Sequence, residues 1–418
     1  MKKVLWITSE FPPRVNVATI RSVKFLKFLP ESNWEAVVIC PSESMEYAKA
    51  GHSLMGQLSS SVTILRAPRN PLYYLLTRGQ VDRKSKYLAY LLNNIVPPDG
   101  HIFWALLALP TIGRAIKKHN PDVVYVTCSP FSLNFIGVWA KLKYKLPWVV
   151  DFRDLWTLNS IPRRFLNPYF RLVSEYLERF YLKRCDALIV NTENSRSRMV
   201  EKYPMLMNKI WVIPNGYDPD DIQPNGERCV IPHSLFYGGS IQPEDGYGPL
   251  PLLELLPKLG MEKDKAAPWV LHYAGGEAQI FRDFTERVGL PLECRTHGYL
   301  EQREYYRLIQ KMELVFLCMP PGVNSNSWIP ARVYDFIGNQ SRIVCLAHRD
   351  SEISRLLEQY GNSLILFYDE PLEVRVEKLR QFLLQPNSNA KPSEEFGKSL
   401  SRKHLTDKLT QVFDQVSE

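Results

Sequence analysis

Short apolar runs alternate with helical stretches along almost the entire chain. Helical patterns such as Thr19–Leu29, Leu172–Lys183 and Ser195–Tyr203 separate runs that are rich in Val, Ile, Leu and Tyr. The runs are apolar on both faces, which is typical of parallel strands covered by helices. The alternation predicts an α/β chain with doubly wound parallel sheets. The predicted strands are Lys3–Ser9, Glu35–Cys40, Val62–Ala67, Asp122–Cys128, Pro147–Phe152, Ala187–Asn191, Ile210–Pro214, Ser234–Gly238, Trp269–Ala274, Glu293–Thr296, Leu314–Cys318, Ile343–Ala347 and Ser363–Phe367.

A segment dense in turn residues, 214–226, divides these runs into two groups. We therefore predict two Rossmann-like domains, residues 1–222 and 229–392, and a final helical pattern within 393–418. Open α/β sheets bind ligands at the carboxyl ends of their strands. In a two-domain arrangement those ends can face each other across a cleft, which favours an enzyme or a binding protein.

The composition excludes several classes of protein. The chain has 418 residues, of which 45% are hydrophobic and 23% charged, so it is not disordered, collagen-like or a coiled coil. Its seven cysteines are dispersed without a CxxC pair, which argues against a zinc site and favours reduced thiols in the cytosol. No apolar run approaches the roughly 20 residues of a membrane-spanning helix. We expect a cytoplasmic protein, with peripheral contact at the inner face of the cell membrane as an option.

Positive charge is concentrated in the first half of the chain. Residues 1–225 contain 30 Lys and Arg against 18 Asp and Glu, and the remainder contains 22 against 26. This excess indicates attraction to an anionic partner, although an unevenly charged solvated surface explains it equally well. Segments 83–92 and 163–171 mix basic, aromatic and aliphatic residues, as membrane-contacting segments do. The alternative is a helix packed on the domain with its basic face in water. No nucleic-acid-binding module is recognisable, so nucleic acid is not an expected partner.

Two motifs in the first half carry candidate functional residues. The loop after the first strand leads into a helix near Asn16, where an anion can bind at the helix N-terminus, and Arg21 follows on that helix. Arg153 and Asp154 follow an apolar strand directly, and charges at a strand end are costly unless they are paired or used. The alternatives are a solvated helix face for Arg21 and mutual pairing for the strand-end charges.

The second half contains a candidate site for a diphosphate and a ribose. Pro330 fits the first turn of a helix with a nearby Ser or Asn as cap, and Arg332 and Asp335 lie three residues apart on one face of it. Arginine can clamp a phosphate, and an aspartate can accept two ribose hydroxyls. The alternative is an ordinary surface ion pair. Double glycines at 238–239 and 275–276 follow predicted strands and allow close approach of a ligand.

Taken together, these motifs resemble the retaining glycosyltransferases of family four, which have the two-domain GT-B fold. The resemblance covers nearly the whole chain. It is carried by Phe-Pro-Pro at 11–13, Pro-Trp-Val-Val-Asp-Phe-Arg-Asp-Leu-Trp at 147–156, Ile-Pro-Asn-Gly-Tyr-Asp at 213–218, His-Gly-Tyr-Leu at 297–300 and Ile-Pro-Ala-Arg-Val-Tyr-Asp-Phe-Ile at 329–337. It implies a nucleotide-diphosphate-sugar donor, a glycan or lipid-linked acceptor, surface polysaccharide or lipopolysaccharide synthesis, and a last helix that crosses back to the first domain.

The resemblance also implies roles for individual residues, with no metal and no cofactor. Arg153, Asp154 and Arg332 would be catalytic, and Asn16 and Arg21 would lie on the acceptor or phosphate side. The donor would be bound by Gly238, Gly239, Gly275, His297, Ser327, Ile329, Pro330, Arg332 and Asp335.

Some positions depart from the family pattern. The two acidic residues that the family places eight positions apart map to Ser327 and Asp335, so the first acid is missing and the second is shorter. The basic residues that usually follow the first strand of the second domain are also absent. A non-catalytic subunit of a glycan assembly complex and a sugar-nucleotide epimerase therefore remain alternatives.

Overall fold

Each of the predicted strands is present in the computed structural model of the chain, with ends that shift by up to three residues. The structure describes residues 1–42, 52–68, 96–158, 167–222, 229–242, 248–259, 269–290, 292–322, 326–385 and 393–418. The strands are β1 Lys2–Ile7, β2 Trp34–Pro41, β3 Thr63–Ala67, β4 Val123–Cys128, β5 Trp148–Phe152, β6 Ala187–Val190, β7 Ile210–Val212, β8 Ile231–Gly238, β9 Val270–Ala274, β10 Glu293–Thr296, β11 Met312–Cys318, β12 Ile343–Ala347 and β13 Ser363–Phe367.

Helices connect the strands and cover the sheets, as parallel strand pairing requires. They are α1 Val17–Phe28, α2 His52–Met55, α3 Ile102–His119, α4 Asn134–Tyr144, α5 Pro168–Arg184, α6 Glu193–Lys202, α7 Leu250–Leu253, α8 Ala278–Arg287, α9 Gln302–Lys311, α10 Arg332–Gly338, α11 Glu352–Tyr360, α12 Leu372–Leu384, α13 Glu394–Ser399 and α14 Arg402–Ser417. Among the described residues, no helix combines the length and apolar character that a bilayer crossing requires.

The chain divides into two compact units. Unit 1 comprises Met1–Asn215 and Arg402–Glu418, and unit 2 comprises Gly216–Ser401. The sheet of unit 1 has the strand order β3-β2-β1-β4-β5-β6-β7, and the sheet of unit 2 has the order β10-β9-β8-β11-β12-β13. Within the described residues, neighbouring strands in both sheets pair in parallel.

The central strands of each sheet are buried on both faces, and consecutive residues of such a strand enter opposite cores. In β1, Leu5 and Ile7 join one apolar cluster of unit 1, whereas Val4 and Trp6 join the other. This explains why the strand sequences are apolar without polar alternation.

The last helical pattern, predicted as one stretch from Ser393 to Val416, forms two helices. The backbone N–H of Tyr217 donates to the carbonyl of Leu400 over 3.0 Å, and Tyr217 forms a parallel bridge with Ser401. These contacts interrupt the helix between α13 and α14. The helix α14 belongs to unit 1, so the segment 393–418 is shared between the units.

Candidate functional site

Each sheet has one position where the order of strands reverses. It lies between β1 and β4 in unit 1 and between β8 and β11 in unit 2. Ligands of open parallel sheets bind beside such a position, at the carboxyl ends of the strands. The loops that follow these four strands are therefore where ligand contacts are expected.

Two strand-end glycines bring backbone segments together in unit 2. Gly239 has a φ of +116°, a conformation that favours glycine. A Cβ on Gly275 would lie 2.5 Å from the carbonyl oxygen of Gly239 and would overlap the Tyr273 hydroxyl. That hydroxyl donates to the same carbonyl over 3.1 Å. Gly238, Gly239 and Gly275 thus form a surface of backbone atoms at the carboxyl edge of the sheet.

Arg332, the first residue of α10, lies beside these glycines. Its Nη1 donates to the carbonyl oxygen of Gly238. Its guanidinium lies 5.2 Å from the centre of the Tyr237 ring. A side chain at Gly239 would overlap Nη1. The predicted phosphate-binding arginine is therefore at the strand-order reversal, and part of its hydrogen-bonding capacity orders the end of β8.

The carboxylate of Asp335 contacts a buried tyrosine. The Tyr306 hydroxyl on α9 donates to Oδ1 of Asp335 over 2.7 Å. Burial, together with the neighbouring charge of Asp335, raises the pKa of Tyr306 well above its usual value, so the phenol stays protonated. Sequence reasoning missed Tyr306, because no local pattern indicates that it meets Asp335.

The residues before α10 form a turn of a different kind from the one predicted. Pro330 is buried, and its carbonyl accepts from the N–H of Val333 over 3.1 Å. Ile329 packs on the apolar cluster beneath α10. The helix is only seven residues long and its N-cap is Ala331, so the expected Ser or Asn cap is absent from this helix. Ser327 lies half-buried upstream of the turn.

His297 pairs with a second histidine that sequence reasoning missed. Nδ1 of His272 on β9 lies 2.9 Å from Nε2 of His297, and the two rings are stacked. Burial, then the neighbouring His297, lowers the pKa of His272 to about 4. Burial also lowers the pKa of His297. His297 lies next to Gly298, whose carbonyl accepts from the N–H of Gly275 over 2.9 Å, so the pair borders the glycine surface.

In unit 1, Arg21 is a buried cross-link. It is 1% exposed. Nε and one Nη donate to Asp151, over 2.9 and 3.3 Å. The remaining donors reach the carbonyls of Ile213 and Pro214 and the side chain of Asn215. All five guanidinium hydrogens thus have protein acceptors, and the structure gives Arg21 a structural role where the sequence suggested contact with an anion.

Asn16 begins α1 as its N-cap. Its side chain accepts from the N–H of Thr19 over 2.9 Å, with extended backbone at φ −157°. Its amide donates to Glu10 over 2.8 Å, and Arg14 donates to the same carboxylate over 3.2 Å. The loop after β1 therefore presents the carboxylate of Glu10 as well as the cation of Arg14.

Arg153 and Asp154 lie at the carboxyl end of β5. Arg153 donates from Nε to the carbonyl of Cys128 over 3.0 Å and from Nη2 to the carbonyl of Ser129 over 2.5 Å. These bonds tie it to the loop after β4. Asp154 is exposed. The alternative of mutual pairing among Asp151, Arg153 and Asp154 does not occur among the described contacts, because Asp151 accepts from Arg21 and Tyr125.

Sequence reasoning also missed a half-buried acid and histidine near the loop after β4. Asp99 accepts from the N–H groups of Phe131 and Ser132, over 2.8 and 3.2 Å, and lies 3.7 Å from Nδ1 of His101. Burial lowers the pKa of His101. The Pro-Pro-Asp-Gly turn that precedes His101 was the available signal.

Other predictions concern metals and membranes. Across the described residues, no group of three or more His, Cys, Asp or Glu side chains could hold a metal ion. Segment 83–92 lies outside the described residues, as do residues 163–166 of the second basic-aromatic segment. Residues 168–171 of that segment form the start of α5.

Comparison with known proteins supports the fold and the family resemblance. Residues 21–221 match the model of Glycosyltransferase Family 4. No curated protein matches the chain in sequence.

Several solved structures have the same fold. A sucrose-phosphate synthase from Thermosynechococcus elongatus is 11% identical with a TM-score of 0.66, covering 99% of each chain. A glycosyltransferase from Rickettsia africae is 13% identical with a TM-score of 0.63, covering 99% of this chain and 98% of that one. WaaG, a glycosyltransferase involved in lipopolysaccharide biosynthesis, is 11% identical with a TM-score of 0.56, covering 99% and 98%. These likenesses confirm the predicted GT-B fold class.

Proposed function

We propose that this chain, which resembles family-four glycosyltransferases in sequence over residues 21–221 and aligns with a solved structure of the GT-B fold over 99% of its length, is a retaining, metal-independent glycosyltransferase. It transfers a sugar from a nucleotide-diphosphate-sugar donor to a hydroxyl of a glycan or lipid-linked acceptor. The observation that carries the proposal is the surface formed by Gly238, Gly239 and Gly275 beside Arg332, at the strand-order reversal of unit 2.

The donor binds unit 2 through this surface. Backbone atoms free of side chains allow a diphosphate to approach, and Arg332 supplies positive charge beside it. Asp335 holds the ribose, with its carboxylate oriented by the Tyr306 hydroxyl. His297, Ser327, Ile329 and Pro330 complete the donor side. The negative charge that develops on the leaving diphosphate is stabilised by Arg332, an oriented-charge effect worth several kcal/mol.

Unit 1 provides the acceptor side. Arg153 and Asp154 lie at the carboxyl end of β5, and Asn16 lies in the loop after β1. The acceptor hydroxyl attacks the anomeric carbon on the face that the diphosphate leaves, and its proton passes to the departing phosphate oxygen. The products are the glycoside with retained configuration and the nucleoside diphosphate. No protein base is required for this step.

The relatives and the charge favour a place in surface polysaccharide or lipopolysaccharide assembly. WaaG has this fold and acts in lipopolysaccharide biosynthesis. Unit 1 contains 33 Lys and Arg against 18 Asp and Glu, which favours an anionic acceptor at the inner face of the cell membrane.

A non-catalytic binding subunit is the second candidate. It is favoured because part of the hydrogen-bonding capacity of Arg332 and Asp335 is used within the protein, by Gly238 and Tyr306. A transferase forms a glycoside and releases a nucleoside diphosphate, whereas a binding subunit does neither.

The test begins with donor binding. Isothermal titration with a panel of nucleotide sugars, in EDTA, should identify a donor for the wild type. Gly275→Ala should abolish binding, because its Cβ would overlap Tyr273 and crowd Gly239. Gly276→Ala is the matched control, since a Cβ there would meet nothing within 4 Å. Equal binding by both variants would place the donor elsewhere.

The second stage separates the two candidates. The identified donor is incubated with membrane lipid extract, and released nucleoside diphosphate is measured beside the anomeric configuration of the product. Release with retention supports the transferase. Donor binding without release from any acceptor fraction would favour the binding subunit, and release that requires a divalent metal would overturn metal independence.

A further inference from the structure

One helix of unit 1 presents an apolar and cationic face to solvent. On α5, Tyr169, Leu172 and Tyr176 are 65%, 67% and 67% exposed. Arg179 and Lys183 on the same helix are also exposed. With about 100° of rotation per residue, these five positions fall within an arc of about 80°. We call this set the α5 outward face.

The outward face is not needed to hold the helix in place. Phe170, Ser174, Tyr181 and Leu182 on the opposite side of α5 are buried. Glu178, also buried, accepts from the Tyr203 hydroxyl over 2.7 Å. The helix is therefore held by its inner side, and three large apolar side chains on the outward face remain mostly exposed.

Neither acidic residue of α5 lies within the arc of the outward face. The two acids of α5 are Glu175 and Glu178. Glu175 lies outside the arc, where it accepts from Arg171 over 3.1 Å and lies 3.8 Å from Lys202. Glu178 is buried on the inner side. The outward face thus combines aromatic rings, a leucine and two cations with no carboxylate.

This combination suits an anionic lipid surface. Tyrosine favours the boundary between headgroups and acyl chains, because its ring is apolar and its hydroxyl polar. Arginine and lysine beside it meet lipid phosphates. The Tyr176 ring also stacks on Phe180 at 6.5 Å, which extends the apolar area along the helix.

We propose that the α5 outward face docks on a bilayer containing anionic phospholipid. Leu172 and the tyrosine rings enter the acyl boundary, and Arg179 and Lys183 lie at the phosphates. The inference deepens the proposed function and rests on it for its purpose, since docking would bring unit 1 to a lipid-linked acceptor. The docking itself stands on the helix face alone.

The test is flotation of the full-length protein with vesicles. Vesicles of phosphatidylcholine with about 30% phosphatidylglycerol are compared with vesicles of phosphatidylcholine alone. This anionic fraction is on the order of that in natural membranes. We expect binding to the anionic vesicles only, weakened at high salt. Leu172→Gln with Tyr176→Gln, and separately Arg179→Gln with Lys183→Gln, should each weaken binding by about tenfold or more. All four side chains are exposed, so the fold should persist.

Matched controls come from unit 2. Leu384→Gln replaces an apolar side chain that is 79% exposed, and Lys311→Gln removes an exposed cation. Both should bind vesicles like the wild type. Equal loss in variants and controls, or no vesicle binding by the wild type, would overturn the proposal.

Two further measurements separate the possible failures. Sedimentation that shows a dimer lost in the Leu172 and Tyr176 variant would assign the face to a second copy instead. Nucleotide-sugar titration should be unchanged in every α5 variant. Lost vesicle binding with intact donor binding supports the proposed docking, whereas vesicle binding without donor binding would leave docking in place and refute the proposed function.

Discussion

At Arg21, a single buried side chain joins three parts of unit 1. The guanidinium on α1 binds Asp151 on β5 and the backbone that follows β7. The Asp151 carboxylate also accepts from the Tyr125 hydroxyl over 2.5 Å. Removing one partner of a buried ion pair is costly, because the other charge remains desolvated.

We therefore predict that Arg21→Met lowers the free energy of unfolding by about 3–5 kcal/mol. Arg14→Ala is the control, because its pair with Glu10 is half-exposed and contributes less than about 1 kcal/mol. Urea unfolding measures both. Adding Asp151→Leu to Arg21→Met should recover part of the loss, and a single variant as stable as the wild type would contradict the assignment.

The pairing of Arg21 with Asp151 shows what local sequence leaves out. The partners are 130 residues apart, and the local sequence around each residue gives no indication of the other. Arg21 has the pattern of a solvated or anion-binding arginine, and only the packing of α1 against β5 reveals its partner. The contact between Asp335 and Tyr306 is likewise not visible in the local sequence. Gly239 and Gly275 were predicted because a glycine directly after a strand is itself a signal.

The His272–His297 pair predicts a pH dependence of stability. Burial lowers the pKa of His272 to about 4, and His297 and Arg295 act in the same direction, opposed by Glu293. In the unfolded chain a histidine has a pKa of about 6.5. At a pH between these two pKa values, His272 is protonated in the unfolded state and neutral in the folded state. This titration therefore leaves the free energy of unfolding unchanged above pH 6.5 and lowers it as the pH falls toward 4.

Urea unfolding between pH 7 and pH 4 tests this. His272→Asn keeps a hydrogen-bonding group but removes the titration, so its stability should fall less steeply than that of the wild type over this window. His404→Asn, at an exposed position, should follow the wild-type profile. A His272→Asn profile parallel to the wild type would refute the role of the pair.

At the scale of elements, the strands follow from sequence more directly than the last helices do. A parallel strand buried on both faces needs a continuous apolar run, which is visible locally. The division of the last helical pattern into α13 and α14 depends on Tyr217, which is distant in the chain. In the sequence, Gly397 and Ser401 are the local signals of that break.

The helix α14 completes the core of unit 1 from the far end of the chain. Phe413 is fully buried, with its ring 5.3 Å from Trp34 and 5.6 Å from Tyr125. We predict that Phe413→Ala lowers the free energy of unfolding by about 3–5 kcal/mol. Gln411→Ala, at an exposed position of the same helix, should change it by less than about 0.5 kcal/mol. A small effect at Phe413 would mean that α14 contributes little to unit 1.

At the scale of the whole molecule, the two units differ in charge as well as in core. Unit 2 contains 19 Lys and Arg against 26 Asp and Glu, whereas unit 1 is strongly basic. The residues proposed to hold the donor lie in unit 2, and the α5 outward face lies in unit 1. Each unit has its own apolar clusters, so each is expected to unfold with its own transition.

Scanning calorimetry should therefore separate the effects of a nucleotide and of a core variant. A nucleoside diphosphate at 100 times its dissociation constant adds about 2.7 kcal/mol to the state that binds it. For a unit of this size the midpoint should rise by about 5–10 °C, and only for the transition of unit 2. Phe413→Ala should lower the other transition and leave the nucleotide shift intact, whereas Gly275→Ala should abolish that shift. If Phe413→Ala and the nucleotide move the same transition, the units unfold as one and the assignment of donor binding to unit 2 alone loses its thermodynamic support.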